Sequence, residues 1–239
     1  MGNRLMGHIE QVILPGQFFC YDGKYYQART ISSKNGIIVR RAAEHLDGRV
    51  YYRQLRNYSL NTISESENAQ NVRGMKLQNI CADIAVETDG YLELKSRNLL
   101  TEAITVSLDS VRKRTVAHKE VLRVSMPKAT DQVRFTLCVL LNELFHTIYP
   151  NESGYIVAAP GTISKDISGA TDYNTIIRSL IPALGVTDRN PDSIYFIEDS
   201  CIDLGLLVSI ERNFQRLFEI IYDYLDWYFE AKKKSSDQT

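Results

Sequence analysis

The sequence predicts an α+β fold with a β-rich N-terminal half, and three observations indicate this. Residues 11–60 carry short runs of β-branched and aromatic residues, separated by the turn signals Tyr-Asp-Gly and Lys-Asn-Gly. Residues 131–150 carry apolar side chains at helical spacing, and a longer pattern of the same period covers 204–229. With 239 residues, 44% of them apolar, the chain is long enough to bury a sizeable core.

The N-terminal half is predicted to consist of short antiparallel strands and hairpins. Asp-Gly and Asn-Gly pairs tolerate the positive φ of tight turns, so hairpins are expected around 21–23 and 34–36. Residues 49–60 form a further predicted strand, and the polar, aperiodic residues 61–74 are expected to form an exposed loop. Further strands are expected at three segments: 79–94, which contains an Asp-Gly turn signal at 89–90, 102–108 and 120–126.

The C-terminal half is predicted to be α/β, with a buried central helix and a long amphipathic C-terminal helix. Asp131 is the expected N-cap of the central helix, and Pro150 should stop it. A weak helix is expected around 172–181, and "IYFI" at 194–197 predicts a short buried strand. The long helix is expected over 204–229, with these apolar side chains toward one side: Leu206, Leu207, Ile210, Phe214, Leu217, Phe218, Ile221, Leu225 and Trp227.

Near residue 128 the sequence changes from strand and hairpin signals to apolar residues at helical spacing. This predicts a β-rich subdomain, 1–128, and an α/β subdomain, 129–239, with a soft boundary that also allows a single domain.

The overall charge of −1 hides an asymmetry between the two ends. Residues 1–60 carry nine basic and four acidic side chains, whereas 191–239 carry five and ten. Opposite charge at the two ends favours different partners for each.

The sequence predicts a cytoplasmic protein with no membrane span. No run of eighteen uncharged apolar residues occurs, and the N-terminal residues match neither a signal peptide nor a myristoylation pattern. The cysteines are scattered and form no CxxC pair, so no zinc ribbon is predicted. Free, mostly buried thiols are expected at Cys20, Cys81, Cys138 and Cys201.

Several common catalytic motifs are absent from the sequence. It has no G-x-x-x-x-G-K-[ST] loop to cradle a nucleotide phosphate, and no HExxH or G-x-S-x-G. Isolated histidines are more often structural or solvent-facing than catalytic, and this is expected for His8, His45, His118 and His146. We therefore predict no catalytic residue, no resident metal and no cofactor.

One acidic cluster leaves an alternative open. Glu198, Asp199 and Asp203 lie within six residues of each other at a predicted strand end, where carboxylates can hold Mg²⁺ in nucleases. Asp203 stands just before the long helix, so it serves equally well as an N-terminal cap that complements the helix dipole. We favour the cap and keep a metal-dependent nuclease as the alternative.

Five arginines are interleaved with three tyrosines in the segment "RRAAEHLDGRVYYRQLRNY", residues 40–58. Arginine forks bind phosphate in a bidentate manner, and tyrosine faces accept stacked bases. The same residues could instead contact a protein partner, or arginine stems could cover a sheet while the tyrosines pack its edges. The predicted nucleic-acid-binding residues are Arg40, Arg41, Arg49, Tyr52, Arg53 and Arg56.

The order of several motifs resembles one helicase family. "ILPGQFFCYDGKYYQARTI", "GIIVRRAAEHL" and "VYYRQLRNYSL" resemble the hairpin and "YYt" strand that follow the motor in MrfA-type superfamily-two DNA helicases. "TEAITVSL" and "QVRFTLCVLLNELFHTIYP" resemble a strand and helix of that family, and "SIYFIEDSCIDLGLLVSIERNF" resembles its closing helix. The four-cysteine zinc cluster of the family is missing, since only Cys201 lies in that region, and its glycine pair is reduced to Gly205.

This resemblance implies a helicase-associated module without its motor. The chain would contact DNA and work with a helicase-type ATPase or nuclease subunit on another polypeptide, in bacterial DNA repair, other DNA processing or antiphage defence. The acidic C-terminal helix, 204–230, would offer four carboxylates to such a partner: Glu211, Glu219, Asp223 and Asp226. A pure protein-interaction adaptor without DNA affinity is the third possibility.

Overall fold

Two sheets and two long helices form the α+β fold that the sequence predicts. The computed structural model describes residues 13–32, 36–42, 49–97, 100–161, 183–187, 190–200 and 202–236. Its strands are β1 (Phe18–Tyr21), β2 (Lys24–Ser32), β3 (Gly36–Arg41), β4 (Arg49–Val72), β5 (Met75–Arg97), β6 (Leu100–Ser125), β7 (Ile156–Pro160), β8 (Ala183–Thr187) and β9 (Ser193–Glu198). Its helices are α1 (Asp131–Ile148), a short 3-10 turn (Ser153–Tyr155) and α2 (Leu206–Ser236).

The first sheet contains three antiparallel strands in the order β1-β2-β3. The β1–β2 hairpin is confirmed: Asp22 and Gly23 form its turn with φ of 49° and 68°, as the Asp-Gly signal predicts. The expected β2–β3 hairpin is confirmed by the pairing of Ser32 with Gly36, although residues 33–35 of its turn lie outside the described residues.

The second sheet contains much longer strands than predicted. β4, β5 and β6 are 24, 23 and 26 residues long and pair in antiparallel order. The predicted loop at 61–74 is therefore wrong, because 61–72 continue β4 and only Arg73 and Gly74 form the turn to β5. The predicted segments 102–108 and 120–126 belong to the single strand β6. The polar composition of 61–72 favours a loop, but the backbone pairing of this stretch with β5 outweighs that preference.

The Asp-Gly signal at 89–90 does not mark a turn. β5 continues through it, and the pairing shifts because Leu55 faces Gly90 while Arg56 faces Thr88, so Asp89 is an extra residue in a β-bulge. A Cβ atom at Gly90 would overlap the carbonyl oxygen of Val106 on β6. Glycine is therefore required here by the close approach of two backbones.

Replacing Gly90 with alanine is expected to destabilise the protein by about 1–3 kcal/mol, because the neighbouring backbone must move. Urea unfolding measures this change. Gly154→Ala is the matched control, since no atom lies within 4 Å of its ideal Cβ position. Equal effects of the two substitutions would contradict the steric explanation.

The second sheet has the order β7-β9-β6-β5-β4-β8, and only the β4–β8 pair is parallel. Its first and last strands, β7 and β8, also contact each other, so the sheet curls around an interior to which all six strands contribute. Strands from both sides of residue 128 take part. The interior is formed by Tyr58, Ile80, Ile84, Val86, Val121, Val157, Ala159, Val186, Tyr195 and Ile197.

Part of β6 has an open edge. β9 pairs with β6 only from Val121 to Ser125. Between residues 104 and 120, β6 pairs with β5 on one side, except at 108–111 and 117–118 where the register shifts, and no described strand pairs with it on the other side.

The helices pack on the outer face of the curled sheet. The N-cap of α1 is Thr130, whose hydroxyl accepts the N–H of Val133 at 3.3 Å; the predicted cap Asp131 is wrong by one residue and stands in the first turn. α1 ends before Pro150, and β9 matches the predicted buried strand. α2 is confirmed but extends to Ser236, and the helix predicted at 172–181 lies outside the described residues. Neither α1 nor α2 is long and apolar enough to cross a membrane.

Candidate nucleic-acid interface

Aromatic and basic side chains meet on the first sheet. Phe19 lies directly opposite Tyr26, and their rings stack with centroids 6.0 Å apart and an interplanar angle of 29°. Arg41 of β3 lies opposite Tyr26, so the three side chains form one row across the sheet. Tyr21, two residues from Phe19 and on the same face, is 48% exposed.

The basic side chains of this sheet are exposed. Arg40 and Arg41 lie on β3, an edge of the sheet, and point to opposite faces. The described residues of the sheet carry four basic side chains, Lys24, Arg29, Arg40 and Arg41, against one acidic side chain, Asp22. We call the side chains Phe19, Tyr21, Lys24, Tyr26, Ile38, Val39, Arg40 and Arg41 the β1–β3 surface.

Tyr52, another predicted contact residue, anchors the first sheet to β4. Its hydroxyl accepts the backbone N–H of Phe18 at 3.1 Å, and its ring packs edge-on against Tyr91 with centroids 5.5 Å apart. Burial raises the pKa of Tyr52 above its usual value, and raises that of Tyr91 to about 12. Tyr52 is half-buried, and its hydroxyl is occupied by the backbone of β1.

Arg49 and Arg53 lie on β4, opposite Ser96 and Leu92 of β5. Their side chains lie outside the described part of the structure. Their role in binding nucleic acid stays a prediction.

Arg56 lies inside the protein, contrary to its predicted place on a binding surface. Its side chain is only 10% exposed, and its Nη1 pairs with Asp199 at 3.0 Å. Its Nε and Nη2 also donate to Oε1 of Gln54, at 3.1 and 2.8 Å. These internal partners correct the prediction, because they commit the guanidinium to holding β4 against the end of β9.

Asp199 is the centre of this buried cluster. One carboxylate oxygen accepts the Tyr58 hydroxyl at 2.9 Å as well as Arg56, and the other accepts Nη2 of Arg114. We call Arg56, Tyr58, Arg114 and Asp199 the Asp199 cluster. Burial opposes ionisation of the carboxyl, but the two arginine charges outweigh it and hold the pKa of Asp199 below its usual value. Burial raises the pKa of Tyr58.

The other two carboxylates of the predicted acidic cluster have separate roles. Glu198 is buried and accepts the backbone N–H groups of Leu204 at 2.6 Å and Leu206 at 2.9 Å, so it caps α2. Asp203, the predicted cap, instead accepts the N–H of Gly205 at 2.8 Å in a local turn. Among the residues that the structure describes, no three His, Cys, Asp or Glu side chains are placed to hold a metal ion.

Two of the four predicted partner-binding carboxylates have contacts within the chain. Glu211 accepts hydrogen bonds from Gln70 at 3.2 Å and Asn79 at 3.0 Å. Glu219 pairs with Arg73 in the β4–β5 turn at 3.2 Å. Asp223 and Asp226 are exposed on the last turns of α2.

The end of α2 presents aromatic side chains that the sequence analysis missed. Trp227, predicted to face the core, is 64% exposed, because Ile221 is the last buried residue of the helix. Tyr222 and Phe229 are 65% and 58% exposed. We call residues 222–233 the α2 extension. Helical spacing alone could not reveal it, since the apolar pattern continues past the point where the sheet ends.

No family model matches this chain, and no curated protein matches it. Among solved structures, the chain is similar to the crystal structure of the DUF1998 helicase MrfA bound to DNA, with a TM-score of 0.41 and 9% sequence identity. The similarity covers 90% of this chain and 26% of that helicase, so this chain spans about a quarter of its length. The similarity is distant.

Proposed function

We propose that this chain is a non-catalytic module that binds nucleic acid through the β1–β3 surface and works with a helicase-type motor or a nuclease on another polypeptide. The observation that carries the nucleic-acid part is the row of Phe19, Tyr26 and Arg41 across three strands. It joins a stacked aromatic pair to a cation that is exposed at the sheet edge.

Aromatic rings on a sheet favour single strands. A base can stack on an aromatic side chain only when its own neighbours in the nucleic acid are unstacked, as in single-stranded segments. Tyr21 and Phe19 lie two residues apart along β1, a distance of roughly 6.8 Å at 3.4 Å per residue. Lys24 and Arg41 supply cations for phosphates on the same face as these rings, and Arg40 supplies one on the other face of the edge strand.

The partner part of the proposal rests on the motif order that the sequence shares with MrfA-type helicases. In such an assembly the motor supplies the translocation, while this chain supplies a contact to DNA in repair, other DNA processing or antiphage defence. Asp223 and Asp226, which are exposed, stay candidates for contact with a partner subunit.

Reversing two charges tests the nucleic-acid part. Arg40→Glu/Arg41→Glu is expected to weaken binding to a single-stranded oligonucleotide and to lower the slope of log affinity against log salt by about 1.4, since each phosphate contact contributes roughly 0.7 on a single strand. Fluorescence anisotropy across a salt series measures both.

The matched control changes the net charge equally at a distance. Lys128→Glu/Arg212→Glu reverses two exposed basic side chains outside the β1–β3 surface. Equal losses in both variants would show only a general charge effect, and no binding by the wild type at low salt would leave the adaptor as the better explanation. Mg²⁺-dependent cleavage of DNA that Asp203→Ala abolishes would contradict the non-catalytic part.

A further inference from the structure

The α2 extension has unusual chemistry for a solvent-exposed helix end. Exposed aromatic side chains recur through it, namely Tyr222, Tyr224, Trp227, Tyr228 and Phe229. Exposed apolar surface on this scale marks an interaction site. Among these aromatic side chains stand three acidic ones, Asp223, Asp226 and Glu230, and the extension ends with Lys232 and Lys233, the first of which lies over the Tyr228 ring at 5.2 Å.

The direction of α2 places this extension far from the β1–β3 surface. Glu211 contacts Asn79 on β5, and Glu219, two turns later, contacts Arg73 in the β4–β5 turn. The helix therefore runs toward that turn, and the extension continues beyond the last buried residue of the helix. The first sheet is anchored at the opposite end of β4, at Tyr52, about 20 residues away, or roughly 65 Å along the strand at 3.3 Å per residue.

The β1–β3 surface has the chemistry that complements the extension. On its edge strand β3, the exposed Val39 shares a face with Arg41, and the exposed Ile38 shares the other face with Arg40, so apolar contact area lies beside positive charge on each face. A surface that binds an aromatic helix with carboxylates must offer both apolar contact area and positive charge. Asp223 and Asp226 stand among the aromatic side chains and favour a basic surface as their partner, whereas the two lysines lie beyond them at the end of the helix.

We propose that the α2 extension of one copy of this chain docks on the β1–β3 surface of a second copy. Because the two surfaces lie at opposite ends of one molecule, they meet only between copies. The contact joins two different patches of the chain. Two copies related by a two-fold axis would form it twice and close as a dimer. Any other arrangement leaves one helix and one surface unoccupied, so further copies can add to a ring or a chain. The contact does not rest on the proposed nucleic-acid role; because both use the β1–β3 surface, a second copy and a nucleic acid would compete for it, and only the helix variant changes the contact between copies alone.

The single tryptophan of the chain reports on this contact directly. Trp227 lies in the extension, so its emission should shift to shorter wavelength as the full-length protein is concentrated at low ionic strength. Sedimentation equilibrium should show the mass rising over the same range. Asp223→Lys/Asp226→Lys and Arg40→Glu/Arg41→Glu are each expected to weaken the association by about tenfold or more.

Mixing the two reversed variants provides the decisive test. The helix variant keeps Trp227, and the sheet variant also carries Trp227→Phe, so emission reports only the contact between the reversed helix and the reversed sheet. Association should return in the mixture because the reversed charges are again complementary. Wild-type protein that stays monomeric, variants that associate like the wild type, or a mixture without recovery would each overturn the proposal.

Discussion

Replacing Asp199 with asparagine is expected to lower the free energy of unfolding by about 3–5 kcal/mol, because it leaves a buried guanidinium without its counter-charge. Asp199 is 3% exposed and Arg56 is 10% exposed, so water cannot replace the lost partner. The side chain of Arg114 is 32% exposed, so water partly replaces its lost partner and its share of the destabilisation is expected to be smaller than that of Arg56. The Asp199 cluster joins β4, β6 and the end of β9, so the loss should affect the whole curled sheet.

The effect should depend on pH with a defined sign. The pKa of Asp199 is lower in the folded protein than in the unfolded chain, so the ionised carboxylate stabilises the fold above the unfolded value. This contribution is lost as the pH falls below about 4, toward the folded-state pKa. The difference in stability between wild type and Asp199→Asn should therefore be constant near neutral pH and shrink in acid.

Urea unfolding at a series of pH values measures this difference. Asp203→Asn is the matched control, since Asp203 is an exposed carboxylate of the same segment that accepts only a local N–H. A difference that grows on acidification, or an equal loss in the control, would contradict the role assigned to the Asp199 cluster.

Replacing Asn142 with leucine is expected to cost about 2–4 kcal/mol, because it leaves two buried backbone groups without partners. The Asn142 side chain accepts the N–H of Ala158 at 3.0 Å and donates to its carbonyl at 2.8 Å. It therefore pairs with the edge strand β7 as a neighbouring strand would. Leucine has a similar volume but offers neither a donor nor an acceptor.

Hydrogen exchange at the Ala158 amide and urea unfolding together measure this effect. Asn213→Leu is the matched control: Asn213 donates to Ser209 four residues earlier, as Asn142 does to Cys138, but its side chain is exposed. Unchanged protection of the Ala158 amide in Asn142→Leu would contradict the pairing.

The sequence predicted the fold where local chemistry decides it. The Asp22–Gly23 turn, the buried strand β9 and both helices follow from turn residues and apolar period, which act over a few neighbours. The length of β4 and the bulge at Asp89 depend on pairing with β5 and on the close approach of Val106 to Gly90. No local signal separates a bulge from a turn at Asp-Gly.

The candidate site was predicted only in part, for a related reason. The sequence predicts Arg40 and Arg41 because they belong to a segment in which arginines and tyrosines are interleaved, whereas Phe19 and Tyr26 join Arg41 only through strand register. Arg56 was assigned to the surface because its partner Asp199 is 143 residues away, beyond any pattern of spacing. Contacts between residues this far apart in the sequence can be identified only from the folded structure.

The open edge of β6 has a consequence for how copies of this chain avoid aggregation. Unpaired backbone groups along such an edge can template the same strand of another molecule. Along 104–120 this strand carries four basic residues, Arg112, Lys113, Arg114 and Lys119, against two acidic ones, Asp109 and Glu120, and of the four Arg114 pairs with Asp199 and Lys113 with Glu87. The excess of basic side chains gives this segment a net positive charge, and two such edges brought together would repel each other, which opposes pairing between copies.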